Sequence, residues 1–335
     1  MLLSKLAAYM REQASDQPIH IVRRQDYNTD DSAQLTAPPK LCPAKVVEGD
    51  GTLKTFLVER AERSAFTHFL DGIERSRTLL YWSQIPIFYG YVSAVIRQRN
   101  IDRRMSTWNW QEDEALYFPC SMVNFPGLHT KGVTVRDTGL ELKEDDAELP
   151  MRLRDCARQL MQKQRRQLEI DLAKCWDERE SYLPNRWLFR DGSLAEAWFM
   201  ASSKRMVGVI KSHQAQYFPL EEQKKILTLQ PGERSSIFEP QRTQNQASLY
   251  SWYLRLHANA GRDLYFGLIR VEVAKSDEMI QMADEISGWL MAERTPLSLP
   301  DSRWDRLLYP IRDCEQYLRS LAPSQVAIEA ALAGL

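Results

Sequence analysis

The chain lacks the long apolar run that marks a membrane-spanning protein, and it lacks the cysteine pattern of a protein stabilised by disulfide bonds. No stretch of its 335 residues approaches about 18 uninterrupted apolar positions, so no membrane-spanning helix is predicted. The 5 cysteines are widely spaced without a Cys-x-x-Cys pair, which argues against a disulfide framework and a structural zinc site. The start, Met1 to Met10, holds no apolar signal-peptide core. These absences predict a cytoplasmic protein.

An excess of charge of one sign is also missing. The 44 lysines and arginines nearly balance the 45 aspartates and glutamates, so any nucleic-acid site must be a local concentration of positive charge. No Gly-x-x-x-x-Gly-Lys-Ser/Thr loop occurs, which disfavours an ATPase role for this chain. An apolar content of 44% is enough for one large domain with additions or for two modest ones.

The beginning of the chain, residues 1–43, is predicted to be a helical arm and linker. Residues 2–14 repeat apolar side chains at helical spacing, and the following segment is polar, contains proline and is weakly patterned. The arm packs on its own domain or serves as a docking element. The rest is predicted to be one domain, 44–335, with a core at about 65–211, an insertion at about 98–150, and a C-terminal hairpin with helices at 248–335.

Three strands of a meander are predicted in the first part of the core. Phe66–Leu70, Thr78–Trp82 and Ile85–Ile96 are rich in aromatic and β-branched residues. The polar residues between the first two segments indicate a turn. Asp71 is therefore predicted to lie at the end of a strand.

The strongest helical pattern begins at Pro150 and runs to about Glu180. Apolar residues recur there at three-to-four-residue spacing, and Glu169 lies at the border of this stripe, from which it can reach inward. The same helix is rich in arginine and lysine. These side chains suit phosphate contacts, or they form a solvated face that pairs with acidic residues.

A strand, a helix and a second buried strand follow. The strand Arg186–Asp191 leads into the helix Leu194–Ser203, and the strand Met206–Ile210 ends at Lys211, an order that implies a crossover and parallel pairing. The remaining predicted elements are a short helix at 220–227, a hairpin of 249–256 with 264–273, and helices at about 277–293, 310–321 and 324–334.

Two strand-end aspartates and one helical glutamate carry the predicted chemistry. Asp71 and Asp191 each alternate with a phenylalanine on one strand face. On adjacent strands, about 4.8 Å apart, their carboxylates can share a cation or bridge two ions. With Glu169 beside them they would repel one another unless a divalent cation were bound, and ligands that are all oxygen favour Mg²⁺ or Mn²⁺. These residues predict a metal-dependent nuclease site.

The order of the elements predicts the fold class. A strand with an aspartate, a hairpin, a helix with a glutamate, a second strand with an aspartate, a helix and a strand together have the connectivity of an RNase H-like core. This is an α/β fold with a mixed sheet, an antiparallel meander plus parallel strands, flanked by helices. Lys211 would lie at the same sheet edge, where it neutralises the scissile phosphate, orients a water, or only caps its strand.

From about Phe66 onward the sequence resembles the NurA family of nucleases. The motifs that carry the resemblance are Asp71-Gly72, Arg166-Gln167-Leu168-Glu169, Asp191-Gly192-Ser193-Leu194, Lys211-Ser212, Tyr253-Leu254-Arg255-Leu256, Arg270-Val271-Glu272 and Tyr309-Pro310. The resemblance implies that Asp71, Glu169 and Asp191 are metal ligands of a manganese-favouring DNA nuclease. It also implies a HerA-type hexameric ATPase as partner, a homodimer, and a role in DNA end processing or defence against phage.

Two positions depart from the family pattern. Ile73 stands where the family usually has serine, and Tyr317 stands where it often has a metal-site histidine. His213 and His257 are the nearest histidines that could substitute, although a lone histidine is more often structural. Tyr317 keeps open a catalytically degenerate subunit that binds DNA or an ATPase ring as an adaptor. A transposase-type or RNase-type enzyme on the same core is a third possibility.

The predicted C-terminal hairpin carries a further candidate for DNA binding. Tyr253 and Arg255 share a face of its first strand, and Arg270 and Glu272 share a face of its second. These side chains line a DNA groove, or they only form a cross-strand ion pair of small energy.

Overall fold

The structure is a computed structural model that describes residues 40–82, 85–123, 133–141, 150–213, 215–241, 247–294, 309–324 and 326. The predicted helix at 2–14 and most of the predicted linker lie outside these residues. So does nearly all of the predicted last helix, 324–334.

Strands account for much of the described chain. In chain order they are β1 (Lys40–Leu41), β2 (Ala44–Val46), β3 (Thr55–Leu57), β4 (His68–Trp82), β5 (Ile85–Arg99), β6 (Met105–Phe118), β7 (Val135–Asp137), β8 (Leu188–Asp191), β9 (Met206–Ile210), β10 (Ala215–Gln216), β11 (Glu233–Ser235), β12 (Phe238–Pro240), β13 (Leu249–Arg255) and β14 (Leu268–Ala274).

The helices flank these strands, and several agree closely with the sequence patterns. They are α1 (Pro150–Glu180), α2 (Trp198–Ser202), α3 (Leu220–Leu227), α4 (Asp277–Gln281), α5 (Ala283–Glu293) and α6 (Tyr309–Leu321), with short 3-10 turns at Gly139–Glu141 and Leu194–Glu196. None of the helices in the described part of the chain is both long and apolar enough to cross a membrane.

Most of the strands join one mixed sheet of 12 strands. Its main order is β2-β12-β13-β14-β9-β8-β4-β5-β6-β7, with β11 and β3 added beside β13, while β1 and β10 form a separate pair. The strands β4, β5 and β6 form an antiparallel meander. The strands β4, β8 and β9 run parallel to one another. The prediction of an α/β fold with a meander, parallel strands and flanking helices is confirmed at this level.

Helices cover both faces of the sheet around its parallel strands. On one face, Leu70 and Leu188 share an apolar core with Leu172 and Trp176 of α1. On the other face, the core includes Phe69, Phe189 and Val209 together with α5 and α6. Because neighbouring residues of a strand face opposite ways, Phe69 and Leu70 belong to different cores. This alternation decides from which side each functional side chain approaches.

The first strand of the meander is longer than predicted. The polar stretch Asp71–Arg77 was predicted to be a turn, but it lies inside β4, which continues to Trp82. Asp71 is therefore not at the end of its own strand. The ladder with β8 stops at Leu70, so the rest of β4 is open on that side. An unpaired strand edge tolerates charged side chains. The polar residues of this stretch therefore did not reveal that it is a strand.

The predicted insertion at about 98–150 is wrong for residues 105–118. These residues form β6, which pairs with β5 from Arg99–Met105 to Phe88–Tyr117 and is the third strand of the meander. Several of its side chains, including Trp110, are exposed, so the segment lacks the apolar run of a buried strand.

Candidate metal centre

The register of β4 against β8 brings two aspartates to one level of the sheet. The last rung of their parallel ladder pairs Leu70 with Arg190. One residue further along are Asp71 on β4 and Asp191 at the end of β8. Adjacent strands are about 4.8 Å apart, so side chains on the same face are neighbours. The two aspartate strands are therefore adjacent, parallel and in register, which is the condition on which the predicted metal site depends.

Asp71 is a buried carboxylate without a cation of its own. It is 8% exposed, and its Oδ1 accepts the Gly72 N–H at 2.8 Å. Burial, followed by the charge of Asp191, raises the pKa of Asp71 well above its usual value, while Lys211 acts in the opposite direction. Among the described residues, no basic side chain lies within ion-pair distance of Asp71. A bound cation would stabilise its ionised form.

Lys211 follows β9, two residues beyond the partner of Asp191 in the ladder, and its side chain pairs with Asp191. Its Nζ is 2.5 Å from Asp191 Oδ2, and both side chains are partly accessible. Burial acts to lower the pKa of Lys211, but the charges of Asp191, Asp71 and Glu315 raise it above its usual value. Lys211 is therefore a cation in contact with the Asp191 carboxylate, at the sheet edge that its position after β9 predicted.

Glu169 reaches the sheet from α1, and two arginines hold its carboxylate. Its Oε1 lies 2.5 Å from Arg165 Nη1, and its Oε2 lies 3.1 Å from Arg190 Nη2. Glu169 is 2% exposed, which confirms that it points inward. A Cβ on Gly72 would come within 2.5 Å of Glu169 Oε1, so the glycine is what lets the helix glutamate approach β4.

The three carboxylates approach this edge from the two faces of the sheet. Asp71 and Asp191 alternate with Phe69 and Phe189, which face α5 and α6, whereas Glu169 comes from α1 on the opposite face. The β4–β8 ladder ends one residue before Asp71, so β4 is open there. Glu169 Oε1 lies beside Gly72, the residue after Asp71, and the charge of Glu169 acts to raise the pKa of Asp71.

A buried glutamate on β14 accepts hydrogen bonds from the Asp-Gly-Ser-Leu turn after β8. Glu272 accepts the Ser193 hydroxyl at 2.7 Å and the Leu194 N–H at 2.9 Å, and its other oxygen accepts Arg270 Nη1 at 2.6 Å. Gly192 adopts a φ of 136°, which favours glycine. These contacts fix the chain directly after Asp191, so Glu272 and Arg270 are positioning residues.

The DNA groove predicted on the C-terminal hairpin is wrong for Arg255 and has no support from the other two residues. Arg255 is fully buried, and its guanidinium donates to the carbonyl oxygens of Leu227, Leu229, Leu264 and Phe266. Tyr253 and Arg270 are also buried. The ion pair between Arg270 and Glu272 lies within one strand and does not cross to its neighbour.

Helix α6 carries a glutamate, Glu315, that pairs with Arg319 at 3.3 Å and lies near enough to the carboxylates to affect their electrostatics. Glu315 contributes to the raised pKa values of both Asp71 and Lys211. Tyr317, the residue in place of the expected histidine, packs against the apolar core with the Arg97 guanidinium 4.7 Å from its ring centroid. Sequence reasoning missed Glu315 because a helical pattern does not show which polar residue faces a site formed by distant strands.

The two histidines considered as substitutes for Tyr317 are engaged elsewhere. The His213 Nε2 is 3.1 Å from the Leu268 carbonyl oxygen, and its ring stacks on Tyr265. Burial, together with the nearby arginines 294 and 262, lowers the pKa of His257. Neither histidine contributes to the electrostatics of Asp71 or Lys211.

Arg165 and Arg190 were also missed as parts of this centre. The sequence patterns assigned no role to Arg190. It lies on the same strand face as the core residue Leu188, and a charged side chain buried there requires a partner. It contacts Glu169, Glu196 and the Ser193 carbonyl oxygen. The signal in the sequence was an arginine within an otherwise apolar strand, directly before a candidate aspartate.

Comparison with known proteins assigns no family to this chain. A scan against protein-family models and a search of the curated proteins found no match. The function therefore rests on the residues that meet at this edge of the sheet.

The donor set at the edge fits a hard divalent cation. Asp71, Asp191, Glu169 and Glu315 offer only carboxylate oxygens, the ligands that Mg²⁺ and Mn²⁺ prefer. Within the described residues, no three acidic, cysteine or histidine side chains already surround a common point. Lys211 and the two arginines at Glu169 instead balance these charges. The residues fit a metal site in which basic side chains must yield some carboxylate oxygens to the ion.

Proposed function

We propose that this protein is a metal-dependent DNA nuclease and that Asp71, Asp191 and Glu169 hold Mn²⁺ or Mg²⁺. The observation that carries the proposal is the meeting of Asp71 and Asp191 at one level of adjacent parallel strands, where Glu169 and Lys211 also interact with Asp71. Asp71 is buried close to other negative charges and has no cation of its own. A bound metal ion would lower the free-energy cost of ionising its carboxyl group.

The connectivity supports an RNase H-like core. The described chain follows the order of a strand with Asp71, two antiparallel strands, a helix with Glu169, a strand with Asp191, a helix and a parallel strand. The same order led to the predicted fold. Because a fold does not fix a substrate, DNA is proposed from the family resemblance and from the carboxylates together.

Each residue of the centre has a role in this proposal. A divalent metal would supply Lewis-acid stabilisation of the phosphate and a lowered pKa for the attacking water. Lys211, once released from Asp191, would place its charge against the scissile phosphate. Arg165 and Arg190 would hold the Glu169 carboxylate in place. Glu272 would keep the turn after Asp191 rigid.

A second candidate is an adaptor subunit that has lost catalysis. The ion pairs at Asp191 and Glu169 favour it, because their carboxylate oxygens are already engaged by basic side chains. Tyr317 supplies no metal ligand in this arrangement, since its ring packs in the core under Arg97. In either role, the proposed partners are DNA, a second copy of the chain and a HerA-like hexameric ATPase.

A nuclease assay separates the candidates. The purified chain is incubated with linear duplex DNA, single-stranded DNA and RNA, each with Mn²⁺, Mg²⁺ or EDTA. Degradation of DNA with Mn²⁺ and none with EDTA supports the nuclease, and preferential cleavage of RNA would replace DNA as the substrate. If no nucleic acid is cut with either metal, alone or with the ATPase and ATP, the result supports an adaptor subunit without catalysis.

A further inference from the structure

A large cavity opens at the end of β4 and β8 opposite to the carboxylates. Its volume is about 1080 Å³, a size that accommodates a nucleotide-sized ligand. It is lined by the segment before β4, the turn between β5 and β6, the segment before β8 and the end of α5. Asp71 lies four residues after Thr67, which lines this cavity, a distance of about 13 Å along an extended strand.

The cavity has a local excess of positive charge in a chain of nearly balanced charge. Five arginines line it, at positions 60, 63, 99, 103 and 186, against two glutamates, at positions 62 and 293. Arg99 is held by Glu293 at 2.7 Å, and Arg186 is 3.5 Å from Glu180. The other three arginines are exposed and, within the described part of the chain, have no carboxylate at ion-pair distance. An anion bound in the cavity would pair with these side chains.

The backbone at the cavity supports a role for one of these side chains. Arg103 has a φ of 65° and Asn185 a φ of 62°, and they are the non-glycine residues with positive φ in the described chain. Both line the cavity. Arg103 lies in the hairpin turn after β5, where its N–H donates to the Asn100 carbonyl oxygen. Glycine would adopt this left-handed conformation more easily, so an arginine there points to a use for its guanidinium.

We propose that this arginine-lined cavity is a phosphate-binding site that holds a segment of a DNA strand outside the carboxylate centre. Arg60, Arg63 and Arg103 contact the phosphates, and the apolar side chains of Ile101 and Met105 face a sugar or base. The choice of DNA rests on the proposed function, whereas phosphate binding rests on the cavity alone. A span of about 13 Å is short for a DNA strand, which advances about 3.4 Å per nucleotide in a duplex.

Binding in EDTA tests the proposal without cleavage. Fluorescence anisotropy measures the Kd of the full chain for a labelled single-stranded oligonucleotide over a range of salt concentrations. The variant with Arg60→Gln, Arg63→Gln and Arg103→Gln removes three positive charges from the cavity. The control with Arg154→Gln, Arg158→Gln and Lys174→Gln removes the same charge from exposed positions on α1.

We expect the cavity variant to bind at least about tenfold more weakly than the control variant. Its log–log salt dependence should be shallower by about 2, since each phosphate contact to single-stranded DNA contributes about 0.7. Equal weakening in both variants would mean that only overall charge matters and would overturn the site. So would unchanged binding in the cavity variant.

Two further measurements separate the cavity from folding and from the ligand's source. Arg103→Gly should weaken DNA binding while leaving the Tm unchanged or higher, because glycine relaxes the turn. Competition with thymidine monophosphate and inorganic phosphate distinguishes a free phosphate compound from a strand. Tight binding of either without measurable DNA binding would overturn the assignment to DNA.

The proposal and the nuclease function fail separately. A chain that binds DNA through the cavity in EDTA but cuts nothing with any metal would refute the nuclease. A chain that cuts DNA equally well with and without the three cavity arginines, and binds it equally, would refute the cavity and leave the nuclease intact.

Discussion

Asp71 is the residue at which function and stability conflict most clearly. A buried carboxylate with like charges nearby and no cation of its own destabilises the folded chain when it ionises. Glu169 is the opposite case, because its carboxylate neutralises the buried Arg190 and the partly exposed Arg165. Conservative amide substitutions at the two positions should therefore stop cleavage alike but change stability in opposite directions.

Asp71→Asn should abolish cleavage and stabilise the fold at neutral pH. The pKa of Asp71 is raised in the folded state, so the stability it contributes is present below its usual value of 3.8 and lost as pH rises through the folded-state pKa. Asparagine does not titrate. The Tm of the variant in EDTA should match that of the wild type near pH 4 and exceed it at pH 8. The corresponding gain in the free energy of unfolding is about 1.4 kcal/mol for each unit by which the pKa of Asp71 is raised.

Asp191→Asn is the companion variant for activity. It should also abolish cleavage at saturating Mn²⁺ while the far-UV circular dichroism remains that of the wild type. Unchanged turnover in both purified variants would remove these aspartates from the mechanism. A Tm of Asp71→Asn below that of wild type at pH 8 would show that the carboxylate is paired in solution.

Glu169→Gln should lose activity and also stability. The substitution leaves Arg165 and Arg190 without the charge that they share, and a broken buried ion pair costs about 3 kcal/mol. The matched control is Glu178→Gln on the exposed side of the same helix, where changes stay within about 0.5 kcal/mol. Urea denaturation and a nuclease assay measure both effects. Equal behaviour of the two variants would mean that Glu169 does not face the sheet in solution.

At the scale of elements, the predictable parts were those with a complete local signal. Helix α1 was predicted from Pro150 to about Glu180 because its apolar stripe is regular over many turns, and β9 was predicted because it is buried on both faces. The strands β4 and β6 were misjudged because much of each is partly exposed and reads as polar. The matching alternation of the two aspartate motifs was readable from the sequence, whereas the adjacency of their strands was a condition that only the structure supplies.

The parts of the centre that could not be predicted are those set by packing between distant elements. The ion pairs of Arg190 and the contact of Glu272 with the turn after Asp191 join elements far apart in the sequence. The direction in which α6 presents Glu315 depends on how the helix lies on β4. A local pattern contains neither kind of information.

Helix α6 supplies a prediction of its own, because it presents Glu315 and buries Tyr317. Glu315→Gln removes a negative charge near Asp71 and should raise the Mn²⁺ concentration for half-maximal activity by roughly tenfold. Tyr317→Phe keeps the ring under Arg97 and should leave the metal requirement unchanged. Metal titration of the nuclease activity compares the two. A larger effect from Tyr317→Phe would return the role to the phenol.

At the scale of the whole molecule, charge is separated although its sum is near zero. The formal net charge is -1, yet an acidic centre and an arginine-lined cavity lie at opposite ends of β8. Long-range attraction of DNA to such a molecule is weak, and binding depends on short-range contacts. A chain of this kind works best when another component delivers the DNA.

The last prediction is that the protein works as a dimer docked on a HerA-like hexameric ATPase. The sequence contains no nucleotide-binding loop of the Gly-x-x-x-x-Gly-Lys-Ser/Thr type, so processive digestion requires an external motor. A translocating ring would also supply the hold on DNA that a net charge of -1 does not. Size-exclusion chromatography with light scattering should show a dimer alone and a larger complex with the ATPase. A strict monomer that neither co-elutes with the ATPase nor is stimulated by it and ATP would refute the partnership and leave the metal centre unaffected.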